Sequence, residues 1–319
     1  MSSAGAFVMR ASAPGRRQFH PLHLNCLLLL LILIWGGNFS VVKFVLSEIP
    51  PHGFNVLRLV IASGLFLAVM KMTGVGLPRR SDLLGLLGLA LTGHVFYQLC
   101  FVSGLARTSA SNSALIIGSG PIAVTLLAVA VGQERVTPWH WAGIILSLGG
   151  VCLIVGLPET AGGGVLVGDL LTVCAVLFWT LYTVGGRVLL AYLSPMAVTG
   201  YSFILGTLIY VPFGVADLVR LDWGSVSIAA WSAVAYSGVF ALFVAYLIWY
   251  IGVQQIGSAK TSVYANMVPV VTIVVSAFWL GEVVSLWKVI GAVGVLGGVS
   301  LSKVGTTNSS MLRKDDSVN

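Results

Sequence analysis

The chain reads as long apolar runs separated by short polar ones. The runs fall at 24–46, 53–71, 83–105, 110–132, 139–156, 167–190, 195–216, 226–252, 259–281 and 286–303. A bilayer core takes about 20 apolar residues in helical form, so the pattern predicts an all-α integral membrane protein with ten transmembrane helices. The second run contains Arg58 and the fifth is short, which makes these two the weakest spans by hydropathy. The connections leave no room for a soluble domain, so each helix must pack beside its sequence neighbours or against the other half of the chain.

A longer-range pattern emerges when the sequence is slid along itself. At an offset of 144, Trp35 meets Trp179, Lys43 meets Arg187 and Pro51 meets Pro195. At an offset of 148, Gly104 meets Gly252, Pro121 meets Pro269, Glu134 meets Glu282 and Trp139 meets Trp287. Glu134–Val151 and Glu282–Val299 agree at 8 of 18 positions, both ending in Leu-Gly-Gly-Val. The repeated unit has five helices, an odd number, so its second copy enters the membrane from the opposite side. Two inverted five-helix repeats characterise transporters, in which the halves exchange conformation around a midplane site. The expected organisation is a tail over 1–23, a first unit over 24–156, a connection over 157–166, a second unit over 167–303 and a tail over 304–319.

The matched positions have local consequences. Pro121 and Pro269 each fall near the centre of a helix, where proline removes a hydrogen bond and breaks or kinks it. A membrane tolerates such breaks where protein or a wet cavity supplies partners, and Gly118, Ser119 and Asn266 lie beside them. The breaks serve either as packing kinks or as hinges around a site. Thr137 and Ser285 are placed to cap the last helix of each unit, and Glu134 and Glu282, just ahead, suit a positive helix N-terminus.

Composition sharpens the class. Charged residues make up 8% of the chain and apolar ones 57%, against roughly 25% charge in an ordinary soluble domain. The 38 glycines suit helices that approach closely in lipid; Gly291, Gly294 and Gly298 could pack within one chain or between chains, and a monomer is compatible. The net charge of +7 is dispersed between apolar runs, which fits membrane topology rather than nucleic acid. With the N-terminus inside, 12 of the 17 Lys and Arg residues are cytosolic, as the positive-inside rule requires. Both termini are then cytosolic. Lys43, Arg58, Arg107, Arg220 and Lys288 remain, in outer loops or close enough to outer helix ends to snorkel. The four cysteines lack metal or disulfide spacing, and neither metal nor cofactor is expected.

Trp35-Gly36-Gly37-Asn38-Phe39, Leu57-Arg58-Leu59 after Pro51, Ala114-Leu115 through Pro121, Glu134-Arg135, Gly149-Gly150-Val151 and Ser262 through Val299 together resemble the drug/metabolite transporter superfamily, EamA type. The resemblance covers about residues 24–303 and is most like the aromatic amino-acid exporter branch. It implies ten helices around a cavity lined by the first, third, fourth, sixth, eighth and ninth, a bacterial inner membrane, and export of amino acids or related metabolites. The second copy departs from the motif, because Trp179 is followed by Thr180-Leu181-Tyr182; whether Asn38 binds solute or only packs stays open.

Candidate solute-binding residues follow from helical spacing. His94, Tyr97, Gln98 and Phe101 share one face of the third helix, and the eighth presents Tyr246 and Trp249 at the positions matching Gln98 and Phe101, with Tyr250 one turn further on. His94 either bonds a solute or is a satisfied packing histidine. The sixth helix adds Trp179 and Tyr182, the first Trp35 and Asn38, the fourth Asn112, and the ninth Tyr264 and Asn266. Tyr192, Tyr210, Trp223 and Trp231 fit interfacial belts. Ring faces with a few amides suit a small amphipathic solute, such as an aromatic or other apolar amino acid, better than a phosphorylated one. All 10 acidic residues fall in loops, tails or helix ends, whereas proton-coupled carriers place them within spans. Facilitated diffusion by alternating access is the expectation, with proton coupling through His94 the alternative. No catalytic constellation is evident, which argues against an enzyme; a channel or a non-transport scaffold is the remaining class.

Overall fold

The computed structural model describes residues 19–132, 138–156 and 163–315, and among them all regular structure is helical. The helices are α1 (Pro21–Val45), α2 (Pro51–Met72), α3 (Arg80–Arg107), α4 (Ala110–Ala130), α5 (Pro138–Gly156), α6 (Gly163–Leu189), α7 (Pro195–Arg220), α8 (Ile228–Ile256), α9 (Ser258–Trp279) and α10 (Leu286–Asp315). Among the described residues, eight of these, α1–α4 and α6–α9, are long and apolar enough to cross a membrane.

Local chemistry sets the helix starts. Pro21, Pro51 and Pro195 occupy first turns, where a missing N–H costs nothing. The hydroxyls of Ser109, Ser194 and Ser227 accept the N–H of Asn112, Ala197 and Ala230 at 3.0, 3.2 and 3.1 Å. Ser285 likewise accepts the Lys288 N–H at 3.3 Å; Thr137 and Glu134 lie outside the described residues.

Glu282 acts on a different helix from the one its sequence position suggests. Its carboxylate accepts the N–H groups of Ala110 and Ser111, at 2.7 and 3.1 Å, and the Ser111 hydroxyl at 2.6 Å. It therefore caps α4, not α10. Lys43 meets the same corner from α1 and donates to the carbonyls of Leu105 and Thr108 at 2.9 and 2.6 Å. The α3–α4 turn is thus held by a cation at the carbonyl end of one helix and an anion at the amide end of the next, each where the helix dipole favours it. Glu282→Ala is expected to lower stability by about 2 kcal/mol, because three bonds to a charged acceptor are lost; denaturant titration of the purified protein in detergent measures this.

Two features interrupt the ordinary helical winding. α3 and α8 each contain a π-helical segment, Ala90–Phe96 and Ser237–Val244. α4 turns at Gly118–Ser119 and α9 tightens to a 3-10 turn at Ala265–Met267, just ahead of Pro121 and Pro269. The two broken helices meet there: a Cβ on Gly118 would lie 2.7 Å from Pro269 Cγ. α5 and α10 run closely together, since a Cβ on Gly150 would come within 2.7 Å of the Gly291 carbonyl oxygen and the Val295 nitrogen. Gly291 and Gly294 therefore pack within the chain.

Candidate functional site

The site is a cluster of rings where α1, α3, α6 and α8 meet. Trp35 lies 5.5 Å from Trp179, 5.9 Å from Tyr246 and 5.4 Å from Trp249 between ring centroids. Trp179 completes the set, 5.2 Å from Tyr97, 5.3 Å from Tyr246 and 5.2 Å from Trp249. These are the spacings at which edge-to-face and offset ring pairs attract. The π-turn in α8 helps to hold Trp35, whose indole N–H donates to the Ala241 carbonyl at 3.0 Å.

Beside these rings lies a cavity. Its wall takes Trp35, Asn38 and Phe39 from α1, Tyr97, Gln98 and Phe101 from α3, and Trp179 from α6. α4 supplies Ile117, Gly120, Pro121 and Val124; α8 supplies Ala241, Leu242, Tyr246 and Trp249; α9 supplies Ser262, Ala265 and Val268. α2 enters through Arg58 alone.

Arg58 is the residue the sequence misplaces. It does not snorkel to an outer interface but is 1% exposed, turned inward among α2, α3 and α8. Its Nε donates to Asn55 Oδ1 at 2.6 Å, one Nη to Ser237 Oγ at 3.2 Å and the other to Gln98 Oε1 at 2.6 Å. Gln98 Nε2 in turn donates to the Tyr246 hydroxyl at 3.2 Å. The guanidinium lies 5.0 Å from the centre of the Phe54 ring and 5.6 Å from that of Phe101, within reach of a cation–π attraction. All of these partners are neutral. The polar pair Asn55 and Arg58, three residues apart inside an apolar run, is the sequence signal that marks this face.

Of the other candidates, Trp35, Asn38, Tyr97, Gln98, Trp179, Tyr246 and Pro121 line the cavity, whereas His94, Tyr182, Tyr250, Asn112, Tyr264, Asn266 and Pro269 do not. His94 is sealed behind Tyr246, 3.9 Å from the Phe203 ring centroid and 5.1 Å from that of Tyr182. Its Nε2 is 3.1 Å from Ser202 Oγ, and that hydroxyl donates to the Thr199 carbonyl at 3.0 Å. The network therefore assigns the proton in this pair to His94 Nε2. Tyr182 and Tyr250 stack at 4.8 Å, and the Tyr250 hydroxyl donates to the Tyr182 carbonyl at 2.9 Å, forming a second layer of rings behind Trp179. The Asn112 N–H is engaged in the α4 cap, the Tyr264 hydroxyl donates to Asn25 at 2.7 Å, and Asn266 sits in the 3-10 turn of α9. Tyr210, read from sequence as a belt residue, is fully buried and its hydroxyl lies 3.0 Å from His52 Nδ1.

A bundle of apolar helices around a ring-lined cavity defines a polytopic membrane protein with a central site, the form of a solute carrier. The chain belongs to the EamA-like transporter family, whose model matches residues 24–156 and again 166–303. An uncharacterized transporter of Archaeoglobus fulgidus is 31% identical over 87% of this chain and 96% of its own length. The uncharacterized transporter YyaM of Bacillus subtilis is 29% identical over 87% and 93%. A protein of Streptantibioticus cattleyicolor named as a probable terminal-alkyne amino-acid exporter is 26% identical over 86% and 92%. A crystal structure shares the fold with a TM-score of 0.66 at 18% identity, over 88% of this chain and 98% of that one.

Proposed function

We propose that this transporter exports small amphipathic metabolites, aromatic or other apolar amino acids foremost, across a bacterial inner membrane by alternating-access facilitated diffusion. The observation that carries the reading is the wall of Trp35, Tyr97, Trp179, Tyr246 and Trp249 along one cavity, because a lining of rings holds an apolar or aromatic side chain without demanding one exact shape. The amino-acid exporter among the relatives supports the same solute class.

Alternating access needs two halves that exchange roles, and we read the chain as ten spans in two inverted five-helix units, with both termini cytosolic. Residues that match in the sequence repeat touch one another: the Trp35 and Trp179 rings at 5.5 Å, Ser63 and Thr207 hydroxyls at 2.7 Å, and Gln98 with Tyr246 at 3.2 Å. A residue meets its own counterpart only where a two-fold axis passes, so these pairs support such an axis through the cavity. Pro121 and Pro269, at the two broken helices, are then the hinge positions. Downhill transport is supported by the placement of His94, which a proton carried with solute would have to reach behind Tyr246.

The test is reconstitution into liposomes with radiolabelled tryptophan. Saturable uptake that an unlabelled solute on the far side accelerates is expected of a carrier. An imposed pH gradient without a solute gradient is expected to give no accumulation. Uphill accumulation in that arm would overturn facilitated diffusion in favour of proton coupling, and flux without saturation would replace the carrier with a channel.

A further inference from the structure

Arg58 is a charged group that the packing alone does not account for. A cation taken out of water inside a bilayer is costly unless something compensates it. Here Asn55, Gln98 and Ser237 satisfy three of its five N–H donors, and no carboxylate among the described residues bonds it. The same side chain forms part of the cavity wall. Two residues of that wall each hold a buried polar atom without a hydrogen-bond partner among the described residues, the donor Trp249 Nε1 and the acceptor Asn38 Oδ1. Among the described residues the wall contains no Asp or Glu.

We infer that Arg58 is the anchor for a carboxylate on the solute, and that the solute's amino group is not required for recognition. The inference rests on the proposed transport of aromatic solutes and narrows it. A carboxylate matches the planar donor fork of a guanidinium, and Trp249, with an unpartnered indole N–H, belongs to the same wall. An ammonium group finds neutral acceptors only, with no carboxylate on the wall among the described residues and the Arg58 cation nearby. A phosphate dianion would call for a second cation, which the wall does not offer. The solute class is therefore aromatic or apolar monocarboxylates: arylalkanoic and 2-oxo acids together with the amino acids, but not the corresponding amines.

The experiment uses the purified full chain in detergent and three indole probes: indole-3-propionate, tryptophan and tryptamine. Binding is read by calorimetry and by the rise of the thermal midpoint that ligand binding produces. Indole-3-propionate and tryptophan are expected to bind within about 10-fold of one another, and tryptamine at least ~10-fold more weakly, as the loss of a charge-assisted pair implies. Arg58→Gln is expected to remove this preference and Arg58→Lys to restore part of it. The wild-type series decides the matter even if a variant fails to fold. Tryptamine binding as tightly as the two acids would overturn the inference and leave the transport proposal standing. Failure of all three probes to bind would remove the aromatic-solute reading, and this inference with it.

Discussion

Trp179→Ala is expected to raise the tryptophan concentration needed for half-maximal transport by about 30-fold, while the chain still folds. That figure corresponds to about 2 kcal/mol, within the range that loss of one stacking face costs. Trp179 is the hub of the cluster, with Trp35, Tyr97, Tyr246 and Trp249 all within 5.5 Å of it between centroids. Truncation removes one ring of the wall and loosens the four that lean on it. Trp179→Phe keeps a ring at the hub and is expected to stay within about 5-fold of wild type, since an aromatic pair is worth about 1 kcal/mol beyond its area. Concentration-dependent exchange in liposomes, beside thermal midpoints in detergent, separates affinity from folding. An unchanged half-saturation in a folded Trp179→Ala protein would mean that the rings are core and that solute binds elsewhere.

Gly168→Leu is expected to abolish the folded carrier. α3 and α6 cross through two glycines: a Cβ on Gly168 would lie 2.9 Å from the Gly104 carbonyl oxygen and 2.9 Å from Arg107 Cβ, and a Cβ on Gly104 would lie 2.9 Å from the Gly168 carbonyl oxygen. Two of the three obstacles are backbone, which cannot rotate aside. In lipid, helices associate by close van der Waals contact rather than by exclusion of water, so separating them forfeits the attraction itself. A leucine here costs about 3 kcal/mol or more, the upper end of overpacking in a tight core. Gly64→Leu on α2, where a Cβ meets nothing within 4 Å, is the control and is expected to be neutral. The fraction of monodisperse protein on size-exclusion chromatography reads out both. Equal recovery of the two variants would mean that α3 and α6 do not cross as described.

The eight membrane-length helices among the described residues were legible because length and hydropathy are local properties. The proline breaks were legible because proline acts on its own turn. The site was only partly legible, and each departure has a physical origin. His94 shares a helical face with Tyr97 and Gln98 only if the winding keeps 3.6 residues per turn. The π-segment over Ala90–Phe96 has a wider turn, which changes the phase between His94 and the two residues that line the cavity. The same effect in α8, through Ser237–Val244, lies just upstream of Tyr246 and Tyr250. Nothing in the composition of these stretches announces the change of winding. Arg58 was placed by its distance from a helix end. Its direction depends on the rotation of α2 against α3 and α8, a long-range property that only Asn55 hints at. Glu282 shows the same limit, since its partner Ala110 is 172 residues away.

The contact between matched residues bears on how such a cavity could arise. Two identical chains assembled about an axis would bring every cavity residue in twice, so a cation admitted once would be admitted as a mutually repelling pair. A chain that carries both copies is free of that constraint. The position matching Arg58 in the second copy is Ser202, and the one matching His94 is Leu242. Around the proposed axis Trp35 still meets Trp179, while Gln98 now meets Tyr246. On the proposed two-unit reading, fusion of the halves separates inheritance of the frame from inheritance of the chemistry. The glycines and prolines that shape the bundle can stay duplicated, and a single charge can be kept on one side only.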